Sequence, residues 1–305
     1  MNKVTFPLTV TQSMTLYAKW EAQVTEVTYS FSNGEITGIA SAPAGKIELN
    51  IPSEINGQTV TSIKYGAFDE NDNIVKVTVP STIKTIAGNA FRFCGSLSEV
   101  NLPDTVTSIG PSAFERCDSL TSIKLPSALT SLSADAFAYT GLTSVTFPSL
   151  LKSVGQYAFQ NCRSLTQVDL GNVETLGRGV FNYCTSLTSV TVPATVKSMD
   201  HHVFTQCTSL TDIDILADNA YIYYSLVDDT PYYNDPNNWK NGVLYIGKYA
   251  VVGNTDKAGV TSLTLEANTT VVAAFAFEYN CRSLTSVTLP SSLLTVGESA
   301  FEDCA

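Results

Sequence analysis

Histidine is nearly missing from this chain: there are two in 305 residues, side by side at His201 and His202. Charge is scarce as well, at 15% of residues. It is also lopsided, with 28 acidic side chains against 17 basic ones and a formal net charge of -11. A chain of that sign repels phosphate backbones, which argues against nucleic acid as a partner. No apolar run approaches the ~20 residues that a membrane-spanning helix needs. The opening MNKVTFPLTV has neither the charged nor the apolar region of a leader peptide. That leaves a cytosolic protein or an internal piece of a longer one. Catalytic signatures are also lacking. There is no G-x-S-x-G, no H-E-x-x-H and no pair of carboxylates at a defined site, so a non-enzyme without cofactor or metal is expected.

What the chain does have is a period. Phe68, Phe91, Phe114, Phe137, Phe159, Phe181 and Phe204 follow one another at steps of 23, 23, 23, 22, 22 and 23. After a gap of 73 come Phe277 and Phe301. Around Phe114 the unit reads IGPSAFERCDSLTSIKLPSALTSL. This spacing falls within the range of leucine-rich repeats. In SLTSIKLP, Leu120, Ile123 and Leu125 take the apolar positions of a short strand, while Lys124 points outward. Pro126 ends the strand, because it has no N–H for a ladder. Leu129 and Leu132 return to the core, and Phe137 plugs the interior. The expected fold is a mainly β repeat solenoid, a right-handed coil with one parallel strand per repeat of 22 to 24 residues and short or helical turns between strands. Strands are expected to start near Leu97, Leu120, Leu142, Leu165, Leu187, Leu210 and Leu284. One unit cannot bury its own apolar face, so stability comes from its neighbours.

Six of the seven cysteines lie three residues after a repeat Phe, and Cys281 lies four after Phe277. An odd count in a ladder, and Cβ vectors running parallel along it, argue for buried free thiols rather than disulfides or a metal cluster. The histidines align without gaps to the same unit. In MDHHVFTQC, Met199 takes the core Ile position, Phe204 the plug and Cys207 the buried thiol. His201 and His202 fall on variable turn positions, so both are expected to be exposed and without a catalytic role.

The repeat pattern is lost from 216 to 259. This stretch contains Tyr221, Tyr224, Tyr232, Tyr233, Trp239 and Tyr245, the candidate ligand-binding residues, together with Tyr223 and Tyr249. Insertions in solenoids often form the binding face, although such rings can equally pack against the flank. VLYIGKYAVV reads as a hairpin turning at Gly247-Lys248, and NAYIYYSLVD as a short helix. Asp218, Asp228, Asp229 and Asp235 accompany the rings, but their spacing fits no calcium loop. Elsewhere the outward strand face carries mainly hydroxyls, such as Thr121, Ser144, Thr146 and Thr191, without aromatic anchors. The expected layout is a remnant of a small β module at 1–22 and an N-terminal cap at 23–60 with a hairpin around Asn33-Gly34. Repeats then run over 61–215, the Tyr/Asp-rich insertion over 216–259, and further repeats over 260–305.

The unit A-F-x-x-C-x-S-L-T-x-V-x-L-P-x-x-V-x-x-I-G resembles the BspA-like leucine-rich repeat family over about residues 45–305. The segment DDTPYYND followed by GVLYIGKYAVV is similar to one that many members carry between repeats. TVTQSMTLYAKWE resembles the closing strand of an internalin-type B repeat. The chain departs from the family unit at YTGL, where Thr140 replaces the Cys, and at Gly171, where the strand-ending Pro is missing. The resemblance implies a bacterial cell-surface or secreted protein that binds host extracellular matrix proteins or glycans. The alternative is a stalk that displays other modules. Both ends look cut, which leads us to expect a fragment with its signal and anchor elsewhere and with end-to-end contacts open at the C-terminus.

Overall fold

Each repeat folds into one coil, because its apolar positions point inward and its turn residues curl the chain back on itself. The computed structural model describes residues 24–304. The small β module expected at 1–22 lies outside the described residues. The expected strand column is present. Ile47–Asn50, Ile74–Thr78 and Glu99–Asn101 pair in parallel, as do Ser144–Thr146 with Gln167–Asp169 and Ser189–Val192 with Asp212–Ile215. Ser262–Thr264 pairs in the same way with Ser286–Thr288. Strands begin about two residues after the leading Leu, and the coil at Leu120 carries none. A second column of two-residue strands accompanies the first. Ser62–Ile63, Thr85–Ile86 and Ser108–Ile109 form one run of it. A second run extends from Ser131–Leu132 to Tyr221–Ile222.

The repeat Phe rings form a continuous stack. From Phe68 to Phe204 successive ring centroids lie 5.1 to 5.7 Å apart, within the favourable range for offset stacking. Each buried ring contributes roughly 1.5–3 kcal/mol in transfer terms. The plug is held by its turns. Residues two before and two after the Phe are left-handed, as with Ser112 (φ 53) and Arg116 (φ 56) around Phe114. This geometry lets each Phe N–H donate to the next coil, for example Phe91 N to Ala113 O at 2.8 Å and Phe159 N to Val180 O at 2.9 Å.

The recurrent spacing of the cysteines has a hydrogen-bonding reason. The thiols of Cys94, Cys117, Cys162, Cys184 and Cys207 are buried and free. Each donates to the carbonyl of the repeat Phe one coil earlier, at 3.2 to 3.3 Å. Burial pushes Cys94 and Cys207 up to about 12 and Cys162 up to about 11, so the donating proton stays on the sulfur. Where Cys is replaced, Thr140 Oγ1 turns to its own coil's Phe137 O at 2.9 Å and meets Cys162 Sγ at 3.2 Å.

Two expectations about this ladder are corrected. Cys281 and Cys304 form a disulfide, with Cα atoms 4.8 Å apart. Adjacent coils therefore sit inside the ~4.4–6.8 Å window for bridging. The one-residue offset of Cys281 from its repeat position takes it out of the thiol-to-carbonyl pattern. The histidines are also not simply exposed; both are half-buried. His201 stacks on Tyr223 with centroids 3.8 Å apart, and its Nδ1 lies 2.7 Å from Asp200 Oδ1. The ring of Tyr223, one coil on, shields the turn.

At the N-terminal end, Thr28–Ser32 and Glu35–Ser41 form the expected hairpin, with Asn33 (φ 53) and Gly34 (φ 82) in the turn. Its second strand pairs with Ser62–Ile63 of the first coil. A second small hairpin, Glu54–Ile55 with Gln58–Thr59, turns on Asn56-Gly57. The Asn-Gly pair was a readable signal for it.

The 216–259 segment breaks the sequence pattern but not the hydrogen-bond ladder. Phe204 N donates to Leu226 O, which puts Val227 at the plug register. Gly253 N donates to Ala276 O, the bond a repeat Phe would make. The gap from 204 to 277 thus passes through 227 and 253, at steps of 23, 26 and 24. NAYIYYSLVD is not a helix. Its Tyr221–Ile222 strand continues the second column, because Ile222 fills the core position of Met199 one coil on. The short helices are Pro231–Asn234, capped by Thr230, whose side chain accepts from Tyr233 N, and Thr255–Ala258, capped by Asn254. The hairpin at Gly247-Lys248 is as expected, and Tyr249–Gly253 pairs in parallel with Val271–Val272.

Candidate functional site

The aromatic segment is woven into the coil stack, so its rings divide between packing and lining. Tyr249 is buried, and its hydroxyl donates to Ala217 O and accepts from Ala220 N. Tyr245, 8% exposed, accepts from Glu266 N. Tyr232 donates to Tyr245 O at 2.8 Å and packs against the core. These side chains hold the segment in place. Trp239 is half-buried, donates from Nε1 to Tyr233 O at 2.7 Å and meets the Tyr233 ring edge-on at 5.3 Å. Tyr221 lies with Tyr223 along a groove beside Met199 and Asp200.

Two of the six sequence candidates, Tyr224 and Tyr233, meet at a cleft of about 470 Å³. Phe275 and Tyr279 complete its ring walls, and Asp228, Asp229 and Glu278 supply carboxylates. Tyr224 and Phe275 touch in a tilted contact at 6.5 Å. On the other side of Tyr233 a shallower depression of about 380 Å³ runs past Trp239 and Lys257. Tyr233 thus lines both hollows, and its edge-on contact links Trp239 to the first.

Phe275, Glu278 and Tyr279 were not among the sequence candidates, because they belong to the next recognisable repeat. The signal was available in the columns. Glu278 and Tyr279 follow the plug Phe277 by one and two residues, as Asp228 and Asp229 follow Val227. Equivalent positions of nearby coils stack on one edge of a solenoid.

The electrostatics of the cleft are uneven. Burial, with the Asp229 charge adding to it, pushes the Asp228 carboxyl up to about 6. Asp229 accepts from the Gln206 amide at 2.7 Å. The neighbouring Glu278 carboxylate raises the Tyr279 phenol. Among the described residues no group of three His, Cys, Asp or Glu is arranged to hold a metal.

The strand face differs. Its hydroxyls are engaged with the backbone: Thr143 donates to Thr121 O, Thr166 to Thr143 O, Thr211 to Thr188 O and Thr285 to Thr261 O, each one coil earlier. The threonines that lead into these strands therefore cap carbonyls of the coil before. The Asp200–His201 pair is the one His–carboxylate contact in the described residues, and the nearby Cys207 thiol is committed to Phe181 O. Among the described residues the geometry offers no activated nucleophile beside a base.

Comparison with known proteins agrees with this architecture. The BspA type leucine rich repeat region matches in six copies, over residues 48–166, 130–256 and 245–305. A leucine-rich repeat protein from Bacteroides ovatus is similar at 25% identity with a TM-score of 0.63, over 93% of this chain and 80% of that one. The T. pallidum leucine rich repeat protein is similar at 25% identity with a TM-score of 0.50, over 67% of this chain and 86% of that one. No curated protein matches.

Proposed function

The chain belongs to the BspA-type leucine-rich repeat family, and from that premise we propose a non-catalytic binding module of the bacterial surface or of a secreted protein, engaging a host matrix protein or a glycan. The observation that carries this reading is the gathering of Tyr224, Tyr233, Phe275 and Tyr279 around one open cleft. Tyr offers large contact area at low entropic cost, which suits a recognition surface. Tyr224, Tyr233 and Trp239 are the contact residues in this reading. Tyr232 and Tyr245 hold the segment in shape, and Tyr221 marks the adjoining groove. No helix among the described residues is long and apolar enough to cross a membrane.

The competing reading is a stalk that displays other modules. The strand face favours it, since it carries small hydroxyls without aromatic anchors and its leading threonines are tied to backbone carbonyls. A screen of the recombinant chain against matrix proteins and glycans separates the two. Saturable binding of one class that Tyr224→Ala with Tyr233→Ala weakens supports the binding module. Absence of any saturable ligand supports the stalk.

A further inference from the structure

The cleft between Tyr224 and Tyr279 is an acidic hollow without a counter-ion. Three carboxylates, Asp228, Asp229 and Glu278, line it, and no Lys, Arg or His does. Among the described residues none of the three takes part in an ion pair. Elsewhere on this protein, charged side chains commonly find partners one coil away, as Arg92 does with Asp69 at 2.7 Å and Lys76 with Glu99 at 2.8 Å. The Asp228 carboxyl accepts no hydrogen bond from the described residues, although it is mostly shielded from water. Its raised pKa, about 6, records that its charge is disfavoured where it sits. An ionisable group held at a cost inside a cleft is a mark of a functional position. The rings beside it add a second attraction of the same sign, because aromatic faces draw cations.

We propose that this cleft takes the cationic side chain, Lys or Arg, of an extended protein segment. The proposal rests on the binding-module reading and narrows its partner to a basic protein surface. The net charge of -11 steers such a partner toward the chain before contact. In the cleft, the ammonium or guanidinium group neutralises Asp228 and Asp229 while its stem lies against Tyr224 and Tyr233. A neutral glycan could use the rings but has no need of three carboxylates without a counter-ion. The titratable groups facing the bound cation are Asp228, Asp229, Glu278 and the phenols of Tyr224, Tyr233 and Tyr279. Carboxyls and phenols carry no positive charge in either protonation state, so none of them repels it.

The test uses the whole chain and three nonapeptides of Gly and Ser with a single central Lys, Arg or Gln, titrated by calorimetry or NMR. The Lys and Arg peptides are expected to bind saturably, and the Gln peptide at least about 10-fold more weakly. Asp228→Asn is expected to weaken the Lys peptide by about 10-fold while leaving the melting temperature unchanged or higher, since it removes an unpaired charge. Glu54→Gln, on the distant hairpin, is expected to change neither. Affinity should fall with added salt and again as the pH drops through about 6, where Asp228 takes up a proton. Tyr224 is 37% exposed, so Tyr224→Ala provides a folded variant should Asp228→Asn misfold, and it too should weaken the Lys peptide. Equal binding of the Lys and Gln peptides, full affinity in Asp228→Asn or Tyr224→Ala, or an equal loss in Glu54→Gln overturns the proposal. Binding of a neutral oligosaccharide such as cellohexaose that needs Tyr224 but not Asp228 also overturns it, yet leaves the binding-module reading standing. Loss of every ligand from the cleft defeats both.

Discussion

The Sγ of Cys117 lies 3.2 Å from the carbonyl oxygen of Phe91, one coil earlier, and donates its proton to it. The same bond recurs at Cys94, Cys162, Cys184 and Cys207, so a repeat that looks like a row of spare thiols is a row of backbone donors. At Phe68, Phe91, Phe159 and Phe181 the same oxygen also accepts from the N–H of its own coil's Cys position, as Phe91 O does from Cys94 N, while Phe137 O accepts from the Thr140 hydroxyl.

This ladder predicts alkaline sensitivity. The folded-state pKa of these thiols lies above the unfolded value near 8.5–9. Their contribution is therefore fully present below that value and is lost as the pH rises toward about 12. Each thiol should steepen the loss by about 1.4 kcal/mol per pH unit above 9. Denaturant melts between pH 7 and 10.5 check this, and Cys184→Ala should give a shallower decline. Stability that stays flat to pH 10.5 contradicts it.

Thiol counting separates the ladder from the bridge. Native protein should label slowly at all five free cysteines, because each is buried. Unfolding without reductant should release five reactive thiols, and unfolding with reductant two more, from Cys281 and Cys304. Seven thiols without reductant would mean that the bridge does not form.

Truncating the Phe stack should be costly. Phe159 is fully buried between Phe137 and Phe181, and Phe159→Ala should lose about 3–5 kcal/mol. His201→Ala should lose far less, about 0.5–1.5 kcal/mol, through its stacking on Tyr223 and its Asp200 bond. Chemical denaturation of both variants measures the difference. Equal losses contradict the assignment of the plug position.

Gly253 sits where a repeat Phe would, and a Cβ there would meet the Phe277 ring at 1.9 Å. That ring is confined by Phe301, with centroids 4.7 Å apart, and cannot retreat freely. Gly253→Ala should therefore destabilise by about 1–3 kcal/mol through overpacking. The expected signature is a lower melting temperature, with amide exchange speeding up first around Val271–Val272 and the Phe277 turn. An unchanged melting temperature contradicts the proposed register of the hairpin.

Much of this was legible because the Phe period is strict from Phe68 to Phe204. A strict period fixes which side chains face inward, and stacking does the rest. The 216–259 segment was harder to read for a physical reason. The solenoid keeps its backbone ladder while tolerating Val227 and Gly253 at the plug, Leu226 at the small-residue position and Thr230 at the Cys position. Once the markers are replaced by residues that merely fit, sequence spacing no longer shows the coil. The short helix assigned to NAYIYYSLVD failed because Ile222 and Leu226 satisfy both a helical spacing and the core positions of a coil, and tertiary pairing decided between them. The cleft was half-legible. Tyr224 and Tyr233 stand out in composition, whereas Phe275, Glu278 and Tyr279 join them only through coil stacking. The disulfide was missed because parallel Cβ vectors were assumed for a column that slips by one residue at Cys281.

Ligand contact at the aromatic cleft, and not on the hydroxyl strand face, is what the proposed function requires. It is tested most directly by measuring the affinity of one identified ligand, by calorimetry, for two variants with matched melting curves. One carries Tyr224→Ala with Tyr233→Ala, and the other carries Lys124→Ala, Thr146→Ala and Thr191→Ala. The account predicts a loss of about 10-fold or more in the first and little change in the second. Full affinity in the first and lost affinity in the second would contradict it and place the site on the strands.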